Sequence, residues 1–158
     1  MQARISHSDF YQLAPEVRPA LLALSASAEA NGIDRTLQEL IKIRASQING
    51  CAFCLDLHTR DATRHGEIAQ RLHLIAVWRE APVFTDRERA ALAWTESLTL
   101  VAQDHVPDAV YDEVRKHFSE KELAYLTGTI VAINGWNRIA AGLRFQPAVK
   151  PVVAAKVA

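Results

Sequence analysis

The chain of 158 residues carries 18 Lys and Arg against 18 Asp and Glu, so its formal net charge is zero, and 49% of it is hydrophobic. A domain of such a length buries roughly 70% of the surface its unfolded form exposes, so neither a disulfide nor a metal is needed to hold a core. Charges of both signs are interspersed, which argues against a nucleic-acid partner. The least polar stretch, Leu123 to Trp136, is interrupted by Thr127, Thr129 and Asn134 and is too short for a membrane span.

Helical periodicity runs along the whole chain, and no segment offers a period-two alternation bounded by turns. The expected fold is therefore all-α, with about six to eight helices in one domain over 1–146 and a tail over 147–158. The N-terminal segment lacks the basic, apolar and small-residue succession of a secretory signal, and the expected location is the cytoplasm. A first helix is predicted from near Pro15 to the stop at Asn31-Gly32, and Asp34 is placed to cap a second. Leu37, Leu40, Ile41, Ala45 and Ile48 form one apolar stripe of that second helix, which Asn49-Gly50 breaks. Cys51 then begins a third helix reaching Gly66, and a fourth follows in IAQRLHLIAVWR before the loop around Pro82. Two hydroxyl residues followed three later by glutamate, Thr85 with Glu88 and Ser119 with Glu122, predict helix starts of the capping-box type. The Ser119 helix is predicted to reach Leu143, and its glycines at 128, 135 and 142 suit close helix packing or a break. The tail, PAVKPVVAAKVA, suits either disorder or an arm laid on a neighbouring surface.

Chemistry concentrates in CAFCLDLH. Cys51 and Cys54 stand at i and i+3 of a helix start, and His58 follows four residues after Cys54. A helix N-terminus and a nearby imidazole both favour thiolate, the reactive form of cysteine. Helical side chains lean toward the N-terminus, which directs His58 back over Cys54 and makes Cys54 the expected nucleophile. Cys51, nearer the helix start and expected to be the more exposed, is placed to close a disulfide with it. Other readings stand beside this one. Cys51, Cys54, His58 and His65 together hold the ligand types of a zinc site, and two cysteines can simply pack as small hydrophobes. Glu39 lies off the apolar stripe and within reach of Lys42, which by spacing alone makes it a surface residue. Trp78, Trp94 and Trp136 sit in apolar helical patterns and are expected to pack, while Asp56, Arg60 and Asp61 form a charged face of the site helix.

The run ELIKIRASQINGCAFCLDLHTRDA, Glu39 to Ala62, resembles the core of the AhpD-like alkylhydroperoxidases within the carboxymuconolactone decarboxylase superfamily. The shared pattern is a glutamate twelve residues before the first cysteine, then CxxC, then a histidine four residues after the second, and Glu39, Cys51, Cys54 and His58 meet all three intervals. TDRERAALAWTESLT and INGWNRIAAGLR are similar to later helices of the same proteins, whereas the first 15 residues and the tail match less clearly. The resemblance implies a helical fold assembling into trimers or hexamers. It also implies hydroperoxide reduction through a sulfenic acid on Cys54 and a disulfide with Cys51, a proton relay of His58 and Glu39, a separate thiol or dithiol reductant, and no cofactor or resident metal. Glu39 thereby moves from a surface residue to a relay base. The chain departs from the peroxidase pattern in having Phe53 where those proteins carry a histidine, and phenylalanine transfers no proton. A lactone decarboxylase on the same scaffold is the further alternative, against which the cysteine pair argues, since the decarboxylases typically lack it.

Overall fold

The computed structural model describes residues 2–148, and among them every regular element is helical. Nine α-helices follow in order: α1 His7–Leu13, α2 Val17–Glu29, α3 Arg35–Ile48, α4 Ala52–Arg64, α5 Ala69–Leu74, α6 Asp86–Thr99, α7 Val101–Asp104, α8 Asp108–Val114 and α9 Glu120–Leu143. A 3-10 turn at Ile75–Val77 extends α5, so the expected fourth helix tightens before Trp78. The count passes the expected six to eight because α1, α7 and α8 are four to seven residues long, too short for periodicity to declare. None of the helices is long and apolar enough to cross a membrane. Of the tail, all but Pro147 and Ala148 lies outside the described residues.

The predicted helix starts are built as the sequence writes them. Asp34 accepts from the Leu37 backbone N–H at 3.0 Å, and Thr85–Glu88 and Ser119–Glu122 form complete capping boxes. α3 lies at the centre and packs against α4, α6 and α9. Its burial is wider than the predicted stripe, because Gln38, Glu39, Ile43 and Ser46 are buried beside Leu37, Leu40, Ile41 and Ala45. A helix enclosed on several sides has little surface left for polar groups, so those it carries must find partners inside.

α2 lies along α9, where Gly128 and Gly135 admit it: a Cβ at these positions would stand 3.3 Å from Leu24 Cδ1 and 3.4 Å from Leu21 Cδ2. Gly142 meets nothing and serves no such contact. At the far end of α9 the Arg4 backbone N–H donates to the Leu143 carbonyl at 2.9 Å, and the Arg4 guanidinium donates to the Gly142 carbonyl. That tie brings α1 to the end of the bundle where Cys51, Cys54, Ile133, Ala140 and Phe145 form an apolar cluster, with Phe10 and Phe53 packed on it.

Candidate functional site

The site begins at the turn from α3 to α4. Gly50, at φ +63°, supplies the left-handed residue that ends one helix and lets Cys51 cap the next. Asn49, at the end of α3, holds that turn against α9, its Nδ2 donating to Asn134 Oδ1 at 3.0 Å and to Asn137 Oδ1 at 2.9 Å. Asn137 Nδ2 in turn donates to Ser46 Oγ at 3.0 Å, and Asn134 Nδ2 to Thr99 Oγ1 at 3.1 Å. These amides fix the position of the cysteines before any chemistry starts, and they escaped the sequence reading. The signal was present as Asn134 and Asn137, three apart on a mostly apolar helix, where buried polar groups must be paired.

Cys51 is the N-cap of α4, and its sulfur accepts from the Cys54 backbone N–H at 3.4 Å. The two sulfurs lie 2.7 Å apart as free thiols. Both are buried, at 4% and 3% exposed, so the expected difference in openness between them is all but absent. Both cysteines belong to the apolar cluster with Phe145 and Ile133, and it is Cys54 that lines the neighbouring cavity. The interaction with Cys54, against the opposing effect of burial, lowers the Cys51 pKa to about 7, helped by backbone N–H groups and the Asn137 amide. The interaction with Cys51, burial and the adjacent charge push the Cys54 thiol up. When the pair ionises, the charge is favoured at the helix cap rather than on Cys54, where the sequence reading places it. Access, not acidity, distinguishes Cys54.

Glu39 is 6% exposed, which overturns the surface reading drawn from spacing alone. Its Oε1 accepts from Lys42 Nζ at 2.9 Å and its Oε2 from His58 Nδ1 at 2.8 Å. The pairing with Lys42 is the expected one, but it is formed inside the bundle rather than in solvent. Burial opposes ionisation of Glu39, yet the His58 hydrogen bond and the charges of His58 and Lys42 hold its pKa below the usual value. A carboxylate accepts only, so Nδ1 carries the proton and a neutral His58 keeps Nε2 as acceptor.

His58 and Cys54 line the same cavity of about 280 Å³, walled largely by Tyr11, Phe53, Leu57, Ile133 and Trp136. Two walls, α1 and α2, come from the segment the sequence reading connected least with the site; His7, Tyr11 and Arg18 enter the cavity from there. Phe53 lines it too, 5.0 Å from the His7 ring and 5.5 Å from the Phe145 ring between centroids. Burial and the Arg18 charge lower the His7 pKa. The four residues of the zinc alternative are not assembled: Arg35 Nη1 lies 2.8 Å from His65 Nε2, and His65 Nδ1 donates to the Asp61 carbonyl. Among the described residues no group of three or more His, Cys, Asp or Glu is placed to hold a metal ion.

The defining pattern of the Carboxymuconolactone decarboxylase family matches residues 12–97. The chain belongs to that family. The uncharacterized protein YdfG of Bacillus subtilis (strain 168) is 40% identical over 95% of this chain and 100% of its own length. A crystal structure of an Agrobacterium tumefaciens protein of unknown function, proposed to be an antioxidant defence protein AhpD, is 41% identical. It superposes with a TM-score of 0.87 over 94% of this chain and 100% of that one, which marks the chain as an AhpD-like member of the family. An uncharacterized peroxidase-related protein from Silicibacter sp. TM1040 shares the fold at 21% identity, with a TM-score of 0.76 over 89% of this chain and 75% of its own.

Proposed function

We propose that this AhpD-like chain is a thiol peroxidase that reduces organic hydroperoxides through Cys54, Cys51, His58 and Glu39. The observation that carries the reading is one cavity lined by a cysteine and by a carboxylate-bound histidine, with a second cysteine sulfur 2.7 Å behind the first. On arrival of the hydroperoxide, Nε2 of His58 takes one proton from the thiol pair and Cys51 keeps the other, so that the thiolate left on Cys54 faces the cavity. That thiolate attacks the terminal peroxide oxygen. The O–O bond breaks, Cys54 becomes a sulfenic acid, and the alkoxide leaves with a proton from His58 to become an alcohol. Glu39 holds His58 in the tautomer and orientation for that transfer and stabilises its charged form. Cys51 then attacks the sulfenic sulfur, water leaves, and a Cys51–Cys54 disulfide remains until an external thiol or dithiol reduces it.

Phe53 supplies apolar wall rather than a proton, which leaves His58 as the proton donor beside Cys54. Cycling between thiol and disulfide suits a reducing compartment such as the cytoplasm. Exposed Leu22 and Leu24 on α2 support assembly into a homo-oligomer, expected as a trimer or larger by light scattering. The function is tested by following hydroperoxide consumption with dithiothreitol as reductant. Turnover is expected from the native chain and is lost in Cys54→Ser, whereas Cys51→Ser stops at a trappable sulfenic acid on Cys54. Turnover that persists with both cysteines changed to serine would assign the site to different chemistry, such as that of a decarboxylase.

A further inference from the structure

The cavity that receives the peroxide is not evenly apolar. Three of its side chains carry or share charge: Lys42, His58 and Arg18. Lys42 and His58 both end on the Glu39 carboxylate, so their charge is answered within the protein. Arg18 has no carboxylate partner among the described residues, and its guanidinium carbon stands 5.1 Å from the Tyr11 ring centroid. The second histidine on the wall, His7, has its pKa lowered by burial and by Arg18 itself, so it adds no competing cation at neutral pH. The cavity lining therefore combines an unanswered planar cation over an aromatic ring with the apolar side chains Phe53, Leu57, Ile133 and Trp136 and the Cys54 thiol. A guanidinium in that setting is suited to a carboxylate, which it binds through paired hydrogen bonds.

The volume limits the ligand further. About 280 Å³ lies at the lower end of small-molecule sites, which leaves room for roughly one ring or a short branched chain. We propose that this cavity selects small apolar, aryl-type hydroperoxides bearing a carboxylate, with Arg18 holding the anion and Tyr11, Phe53 and Trp136 holding the body. The reactive end of such a substrate rests on the peroxidase reading, but its anionic end does not. Arg18 is solvent-exposed, so the charge preference is moderate and is screened by salt.

The test has a binding arm and a turnover arm, both on the full chain. Calorimetric titration of the reduced protein with para-isopropylbenzoate and with neutral para-isopropylbenzamide is expected to show the carboxylate binding roughly tenfold more tightly. Arg18→Ala should abolish that difference and Arg18→Lys should keep part of it, with circular dichroism confirming that both variants fold. In turnover, cumene hydroperoxide is compared with its para-carboxylate. Arg18→Ala should raise KM for the carboxylate roughly tenfold relative to that for cumene hydroperoxide, with the effect in KM rather than kcat. Equal binding of acid and amide, or a preference that survives Arg18→Ala, overturns the proposal. An Arg18-dependent preference without turnover of either hydroperoxide leaves the anion site standing and removes the peroxidase reading. Turnover of both without a charge preference does the reverse.

Discussion

Glu39 and Glu96 are two carboxylates enclosed by the same bundle, and both are held charged against the cost of burial. Glu96 accepts from Arg44 Nε at 2.7 Å and Trp78 Nε1 at 2.8 Å and pairs with Arg79, none of which lines the cavity beside Cys54. Glu39 accepts from Lys42 and from His58, and His58 lines the cavity that holds Cys54. The difference teaches that a buried, clamped carboxylate is not in itself a functional mark. What separates the two is a partner able to give up a proton toward a cavity.

Loss of that partner should have the largest effect. His58→Ala is expected to slow the peroxide reaction roughly a hundredfold near neutral pH and to recover at high pH, where hydroxide supplies the thiolate. An unchanged pH–rate profile in that variant would make His58 a packing residue and dissolve the contrast with Glu96. Glu39→Gln acts through His58 and should cost roughly tenfold in the same assay. Glu96→Gln sharpens the comparison from the other side: turnover should stay within about twofold, while urea unfolding records a loss of about 2–3 kcal/mol from the weakened charged hydrogen bonds. Lys42→Met removes a positive charge beside Glu39, raises the Glu39 pKa and should shift the acid limb of the rate profile to higher pH.

The smallest effect is on acid stability. The folded pKa values of Glu39 and Glu96 lie below their ordinary value of 4.5. Both groups therefore stabilise the fold fully above that pH, and the stabilisation is lost as pH falls through the folded values. Glu96→Gln should flatten the acid limb of unfolding, and an equally steep limb would show that the carboxylate contributes nothing there.

Much of the scaffold was legible because its signals are local. Asp34, Thr85, Ser119 and Gly50 act within one helical turn, and each does so where its spacing places it. The pairing of Glu39 with Lys42 was legible too, but its burial was not, because a stripe drawn on α3 alone cannot reveal that α4, α6 and α9 enclose the helix on further sides. The resemblance joins Glu39 to His58, a pair that spacing alone does not connect. The cavity walls were not legible from either source. His7 and Tyr11 lie on α1, which follows Arg4, tied by its backbone N–H and guanidinium to the end of α9 more than 130 residues away, and Arg18 lies on α2, packed along α9; neither contact has a local pattern. The burial of Cys51 was not legible for a related reason: nearness to a helix start was taken as nearness to solvent, while both cysteines lie in the cluster that Ile133 and Phe145 complete from distant parts of the chain.

The central claim is that Cys51 and Cys54 form one redox unit that opens to peroxide through Cys54. Mass spectrometry of the reduced chain after a short exposure to cumene hydroperoxide, with thiol alkylation before and after, tests it most directly. The expected result is a loss of both alkylatable thiols, a mass decrease of two hydrogens and a peptide pair joined through Cys51 and Cys54. Two thiols still fully alkylatable after exposure would contradict it.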